Sequence, residues 1–384
     1  MKIKYFLFAS LISTFISCNN HQNKDAFKKE ITSININPDN TVDLHLSEII
    51  DSLTYIPLET TQDSYMKNID KLIYYKDDLY ILDKSTKAIY CFSKDGKFLY
   101  KIRRVGKGPG EYIEIADFLI NPFRERLEIL DRRSRKITCY NILNKEFDED
   151  IIINHLANNF IVTDPHSYFL YTMGSGFFNG ENDYKYNLLQ VDFKGKNVLG
   201  QYCEAYEGST NYGFPSMLPR INDTTALFSC FYNDTIYEIS KNLIYPKYYI
   251  DFGNHKLPLK AAKLSTDQRK NFKKDPYAYS LNTFFETNEI LYFQYLYKSK
   301  FRKVIYYKNN GAMINFNYMI NNDIDGIPLD KVETISRNNM LFSIEALRLQ
   351  KFIKNDIRVD GNIKHFLNNI KPDNNPIIVM GKLK

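Results

Sequence analysis

The chain has 384 residues, 51 Lys and Arg against 45 Asp and Glu, a formal net charge of +6 and 44% hydrophobic residues. That composition excludes a disordered or low-complexity chain and leaves ample material for a large core. The basic residues are spread among acidic ones along the sequence, which argues against a nucleic-acid partner.

Lys2 and Lys4 open the chain, and the apolar run from Tyr5 to Ile16 behind them has the pattern of an export signal while being too short to span a bilayer. The run ends in Phe15-Ile16-Ser17-Cys18, where small Ser17 before a cysteine resembles the lipobox of bacterial lipoproteins. The resemblance implies a signal peptide over residues 1–17, cleavage before Cys18 and acylation of Cys18, so that several acyl chains hold the protein on a membrane. Asn19 to Lys29 is polar and aperiodic. Residues 18–45 are therefore expected to form a flexible tether, with the folded body over 46–384. No acidic run follows Cys18, which leaves the periplasmic and surface faces of an outer membrane both open.

Beyond the tether the strongest signal is a repeat of about 48 residues. Leu79-Tyr-Ile-Leu-Asp83 with Ala88-Ile-Tyr-Cys-Phe92 is echoed by Leu127-Glu-Ile-Leu-Asp131 with Lys136-Ile-Thr-Cys-Tyr140. A third copy stands at Thr235-Ile-Tyr-Glu-Ile239, and poorer ones at Leu188–Asp192 and Lys303–Tyr307. Apolar residues alternate within each unit, β-branched and aromatic types dominate, and Gly, Asn, Asp and Lys punctuate the runs, which predicts short antiparallel strands. Lys94-Asp-Gly-Lys97 predicts a hairpin turn. Four strands per unit predict an all-β, six-bladed β-propeller with four-stranded blades. Leu259–Lys274 breaks the strand pattern and predicts a short helical insertion between blades four and five. Residues Tyr55–Leu58, ahead of the first full repeat, are expected to add a strand to the last blade and close the ring.

Tyr55-Ile-Pro-Leu-Glu-Thr60, Gly106-Lys-Gly-Pro-Gly-Glu-Tyr112, Tyr249-Ile-Asp-Phe-Gly253 with Leu257-Pro258, Asn322-Asp-Ile-Asp-Gly326 and Asn375-Pro-Ile-Ile-Val379 follow in that order. With these marks the chain resembles the six-bladed β-propeller lipoproteins of Gram-negative bacteria, related in build to NHL-repeat propellers. The resemblance implies the fold and a lipid anchor, and leaves the biochemical activity unassigned.

Arg104-Val-Gly-Lys-Gly-Pro-Gly-Glu-Tyr112 is the leading candidate for ligand binding. Its glycines let backbone approach a ligand closely, Arg104, Lys107 and Glu111 supply donors and acceptors, and Tyr112 a stacking ring, expected near the mouth of the central channel. The Lys-Ser/Thr ending of a phosphate loop is absent, and strand rather than helix is expected to follow. Tyr206 and Tyr212, with Tyr202 and Phe214 around a Gly-Ser-Thr-Asn loop, are further ligand candidates. Asp323 and Asp325 follow calcium-loop spacing, but Val332 stands where a bidentate Glu belongs, so no metal or other cofactor is expected. Six histidines form no pair at ligand spacing. Cys91, Cys139, Cys203 and Cys230 allow three connectivities, and Cys91 and Cys139 sit in apolar segments where small buried residues are expected.

No nucleophile with a base and no acid pair stands out, and the repetition of Asp83 and Asp131 argues for turn-making. The expectation is a monomeric, lipid-anchored binding or scaffold protein of the cell envelope that holds a glycan, a peptide or a protein partner. The alternative is a polysaccharide hydrolase or lyase with its active site at the channel mouth.

Overall fold

The computed structural model describes residues 30–172, 186–205, 218–230, 232–258, 276–321, 326–327, 329, 331–353 and 370–384. Three short strands come first: β1 (Thr32–Asn35), β2 (Val42–His45) and, after the helical turn α1 (Leu46–Ile49), β3 (Ile50–Pro57). Six sheets then follow in chain order. Blade one is β4–β7 (Lys71–Tyr75, Asp78–Asp83, Ala88–Ser93, Phe98–Ile102) and blade two β8–β11 (Asp117–Asn121, Arg126–Asp131, Lys136–Asn141, Phe147–Ile152). Blade three is β12–β15 (Asn159–Asp164, Ser167–Tyr171, Tyr186–Asp192, Val198–Glu204), and blade four β16–β19 (Arg220–Asn222, Thr225–Ser229, Thr235–Ser240, Leu243–Asp251). Blade five is β20–β23 (Ala278–Glu286, Ile290–Tyr297, Lys300–Tyr307, Met313–Ile320). Blade six holds β24 (Val332–Ser336), β25 (Asn339–Ile344), the helix α2 (Ala346–Ile353) and β26 (Ile377–Leu383), and takes β3 as its fourth strand. The protein is thus an all-β six-bladed propeller with four-stranded blades. Among the described residues no helix is long and apolar enough to cross a membrane. The helical insertion expected at 259–274 lies outside the described residues.

The core is divided among the seams between blades. Each of six buried apolar clusters joins two neighbours, as where Leu127 and Ile129 of blade two meet Tyr80, Leu82 and Ile89 of blade one. Second and third strands are therefore covered on both faces, and β5 and β6 are buried at nearly every position. Outer strands such as β15 face solvent on one side.

Ring closure is more extensive than a single added strand. β3 pairs antiparallel with β26, from Ile50 opposite Leu383 to Pro57 opposite Ile377, which completes blade six from both chain termini. Upstream, β1 adds in parallel to β19, and β2 in parallel to β23, so blades four and five each carry a fifth strand. The expected tether over residues 18–45 is corrected from Thr32 onward: Ile34 and Ile36, then Leu44, alternate into the core as strand residues do. Ile34 and Ile36 enter the seam between blades four and five, Leu44, Leu46, Ile49 and Ile50 the next, and Ile56 and Leu58 the seam between six and one. Each such side chain contributes about 1.5–3 kcal/mol by leaving water.

This amino-terminal strap, residues 32–58, ends on blade one. Glu59 N–H donates to the Gly96 carbonyl at 2.8 Å, and the Glu59 carboxylate accepts from Phe98 N–H at 2.9 Å. Gly96, in the predicted Asp-Gly hairpin, has φ +81°, and a Cβ there would stand 2.1 Å from the Pro57 carbonyl oxygen. Buried Asn375 completes the joint. Its amide donates to the carbonyls of Glu59 and Ser64, both at 2.9 Å, and accepts from Met66 N–H at 2.9 Å.

Between blades two and three, Glu128 is fully buried, with Asn121 Nδ2 donating to it at 2.8 Å and the Tyr168 hydroxyl beside it. Burial pushes its carboxyl up to about 7, against the opposing pull of Asn121, Tyr168 and Arg126. A group protonated more tightly in the folded than in the unfolded chain adds stability at low pH, lost as pH rises from about 4.5 through about 7.

Two outcomes are expected. Asn375→Ala lowers unfolding stability by about 3 kcal/mol with an unchanged urea m-value, because it leaves buried backbone groups unpaired. Glu128→Gln, followed by thermal unfolding between about pH 5 and 8, removes most of the alkaline loss of stability and leaves the variant about 2 kcal/mol the more stable at the upper end.

Candidate functional site

The connection from β7 to β8 is held as a rigid arch. Tyr112 N–H donates to the Arg104 carbonyl at 2.9 Å and Gly106 N–H to the Tyr112 carbonyl at 3.0 Å. Glu111 Oε2 accepts from Gly108 N–H at 2.8 Å, and a Cβ on Gly106 would lie 2.0 Å from that same oxygen. Gly110 has φ +70°; its N–H donates to Asp150 at 3.1 Å and its carbonyl accepts from the Tyr140 hydroxyl at 2.5 Å. The arch therefore lies against the third and outer strands of blade two. The expected position near the channel mouth is corrected by these contacts, which draw the glycine-rich turn outward over β10 and β11.

Tyr112 is also corrected as a stacking ring. It is fully buried, and its hydroxyl donates to the carbonyls of Lys87 and Ile102 at 3.1 Å and accepts from Arg104 N–H at 3.2 Å. Burial pushes that hydroxyl up to about 12. Glu111 is half-buried and caps the turn, whereas Arg104 and Lys107 are exposed, with the Arg104 guanidinium 5.6 Å from the centre of the Tyr140 ring. Tyr206, Tyr212, Phe214, Asp323 and Asp325 lie outside the described residues, as does Cys18. Tyr202 is described, in β15, with its hydroxyl 3.2 Å from Gln190 and its ring 6.3 Å from that of Phe169.

The repeated aspartates explain how the arch is fixed to its surroundings. Asp83 Oδ1 accepts from the N–H groups of Ser85 and Thr86, at 2.8 and 3.2 Å, and Oδ2 from Lys67 N–H at 2.7 Å. One repeat later Asp131 Oδ1 accepts from the N–H groups of Arg133 and Ser134, both at 3.0 Å, and Oδ2 from Ile113 N–H at 2.7 Å. Each carboxylate thus caps its own turn and clasps the connection arriving from the preceding blade. Burial alone would raise the Asp83 carboxyl, but the bonds from Ser85, Lys67 and Thr86 outweigh it and hold the group below its usual range.

These clasps separate charge by depth. Asp83, Asp117 and Asp131 are buried: Asp117 takes Lys71 Nζ at 2.7 Å and Phe160 N–H at 3.3 Å. Asp150 takes Lys136 Nζ at 3.0 Å and the Thr138 hydroxyl at 2.8 Å. On the surface of the same turns stand Lys67, Lys84, Arg103, Arg104, Lys107 and Arg133, all exposed, with Lys87 and Arg135 half-buried. None of these eight is in an ion pair among the described residues. Arg103 Nε donates to the Thr86 carbonyl at 3.0 Å, and Arg132 Nε is buried without a hydrogen-bond partner. Cations dispersed in sequence are thus gathered on one surface of blades one and two, with an exposed carboxylate among them, Asp70, whose Oδ2 accepts from Lys84 N–H at 2.8 Å. The visible signal was the shared register of Asp83-Lys-Ser-Thr-Lys87 and Asp131-Arg-Arg-Ser-Arg135, with cations at the same two places.

A domain of unknown function, DUF4934, matches residues 31–382. The chain belongs to that family. The DUF4934 boundary coincides with the first strand of the strap. Among solved structures, a Bacteroides fragilis protein named as an exported one is similar over 92% of this chain and 100% of its own, with 18% identity and a TM-score of 0.75. A DUF4221 member from Bacteroides vulgatus is similar over 87% of this chain and 97% of its own, at 10% identity and a TM-score of 0.49. None of the curated proteins matches this DUF4934 chain. Among the described residues no three His, Cys, Asp or Glu side chains converge as metal ligands.

Two cysteines form a disulfide: Cys203 at the end of blade three and Cys230 after the second strand of blade four, with Cα atoms 6.4 Å apart. Cys91 and Cys139 are free and buried, as expected. Burial pushes the Cys91 thiol up to about 12, which makes it a poor nucleophile.

Proposed function

We propose that the protein is exported, anchored to the outer membrane through acylated Cys18, and acts there as a non-catalytic binding protein whose contact surface is the cationic face of blades one and two. Three observations support the export half of this reading: the leader pattern ending at Cys18, the disulfide between blades three and four, a bond typical of oxidising compartments, and the fold shared with a B. fragilis protein named as exported.

The binding half rests on one observation, the separation of charge by depth. At this face Asp70, Asp83 and Asp131 are engaged by backbone N–H groups and Asp150 by Lys136, which leaves them poorly placed for acid–base chemistry, while unpaired Lys and Arg side chains project outward from a rigid backbone. The preformed backbone beneath them loses little entropy on binding, so the ordering cost falls on the side chains alone.

Two measurements test the two halves. Thermal shift of the folded domain against envelope and dietary glycans is expected to give a rise of several degrees with at least one ligand, without product formation, and Arg104→Ala with Lys107→Ala is expected to diminish it. Product formation on the panel, whether or not it survives the substitutions, rejects the binding reading. Cys18→Ala is expected to move the protein from the membrane to the soluble fraction; retention in membranes with no lipid on residue 18 rejects the anchor.

A further inference from the structure

We infer that the cationic face takes an acidic polysaccharide, an extended chain carrying carboxylate or sulfate groups at regular intervals. The inference rests on the reading of that face as the contact surface.

The hydrogen bonds set the order of the cations. Asp83 joins Lys67 to the turn bearing Lys84 and Lys87; Arg103 donates to that turn; the Tyr112 hydroxyl ties Lys87 to Arg104; and Asp131 joins the arch to the turn bearing Arg133. Ile153 N–H then bonds the Arg135 carbonyl at 2.8 Å. The result is a series of linked turns across two blades, each bearing cations, which together form the track. The positions of Lys84 and Lys87 recur as Arg132 and Arg135 one repeat later, where exposed Arg133 stands beside half-buried Arg135, so surface cations return at the spacing of one blade. A ligand whose own charges recur along a chain satisfies such a track better than a single small anion does.

The guanidinium groups favour planar, two-oxygen partners such as carboxylate and sulfate. Tyr65, 46% exposed and two residues from Lys67, offers an apolar ring to the face of a sugar. Exposed cations in such number also make binding steeply dependent on salt.

The test uses the mature protein with polygalacturonate and heparin oligosaccharides as acidic probes, dextran as neutral control, and vesicles with and without anionic phospholipid. Binding is measured at about 50 and 200 mM NaCl, where several displaced counterions give a large difference in affinity. The variant Lys84→Glu, Lys107→Glu, Arg133→Glu changes exposed residues only. Its control, Lys94→Glu, Lys97→Glu, Lys196→Glu, makes the same change of net charge at exposed hairpin positions away from the track.

We expect at least one acidic probe to bind, the track variant to weaken it roughly 100-fold, and the control to change it less than about threefold. No binding of either acidic probe at low salt, or equal loss in both variants, overturns the inference. Binding to anionic vesicles that neither polysaccharide displaces overturns it in favour of a lipid surface. If another panel ligand raises the melting temperature and only the track variant abolishes that rise, the face is the contact surface and the acidic class is wrong. If such a rise survives the track variant, the contact surface itself is wrong.

Discussion

Every blade of this propeller must bury two apolar faces, and no blade can do so alone. The six seams are what this need produces: a sheet such as β4–β7 becomes stable only when Leu79 and Ile81 meet one neighbour and Tyr80 and Leu82 the other. A closed ring follows, since an open one would leave two such faces in water. The amino-terminal strap meets the same demand by inserting aliphatic side chains into three successive seams and by covering the outer edges of blades four to six.

The seams also govern the chemistry of the surface. With the sheets fixed edge to edge, the turns between second and third strands and the connections arriving from the previous blade are forced together, and each such meeting leaves backbone N–H groups needing acceptors. Asp83 and Asp131 answer that need in consecutive blades, and in doing so withdraw negative charge from a surface rich in Lys and Arg. The positive character of blades one and two is in this sense a by-product of backbone satisfaction. It arises although the chain as a whole carries only a small excess of basic residues, 51 against 45.

Much of the architecture was legible because the repeat is a physical unit. The 48-residue echo between blades one and two reflects equal strand and turn lengths, whereas blade five, with strands of eight and nine residues and register shifts in β20, blurs the period. The strap was hidden in a polar stretch, although the alternation of Ile34 with Ile36 and Leu44 with Leu46 carries it. Arg104 and Lys107 were found because glycine and proline mark their loop. Tyr112 was misread for the same reason: a turn that admits a ligand and a turn that packs on its neighbour need the same small residues, and only burial distinguishes them. Arg103, Arg133 and Lys84 were missed because charge gathers in space, through hydrogen bonds between blades, and not along the chain.

The strap has a kinetic consequence. Its partners β19, β23 and β26 belong to the last three blades, so in a chain delivered amino terminus first the earliest segment waits for the latest before it can pair. Contacts so distant in sequence form late and slowly, and the cooperative ring cannot assemble on a truncated chain. The same design that closes the molecule therefore makes closure wait for the strand made last, β26, which pairs with β3 near the chain's beginning.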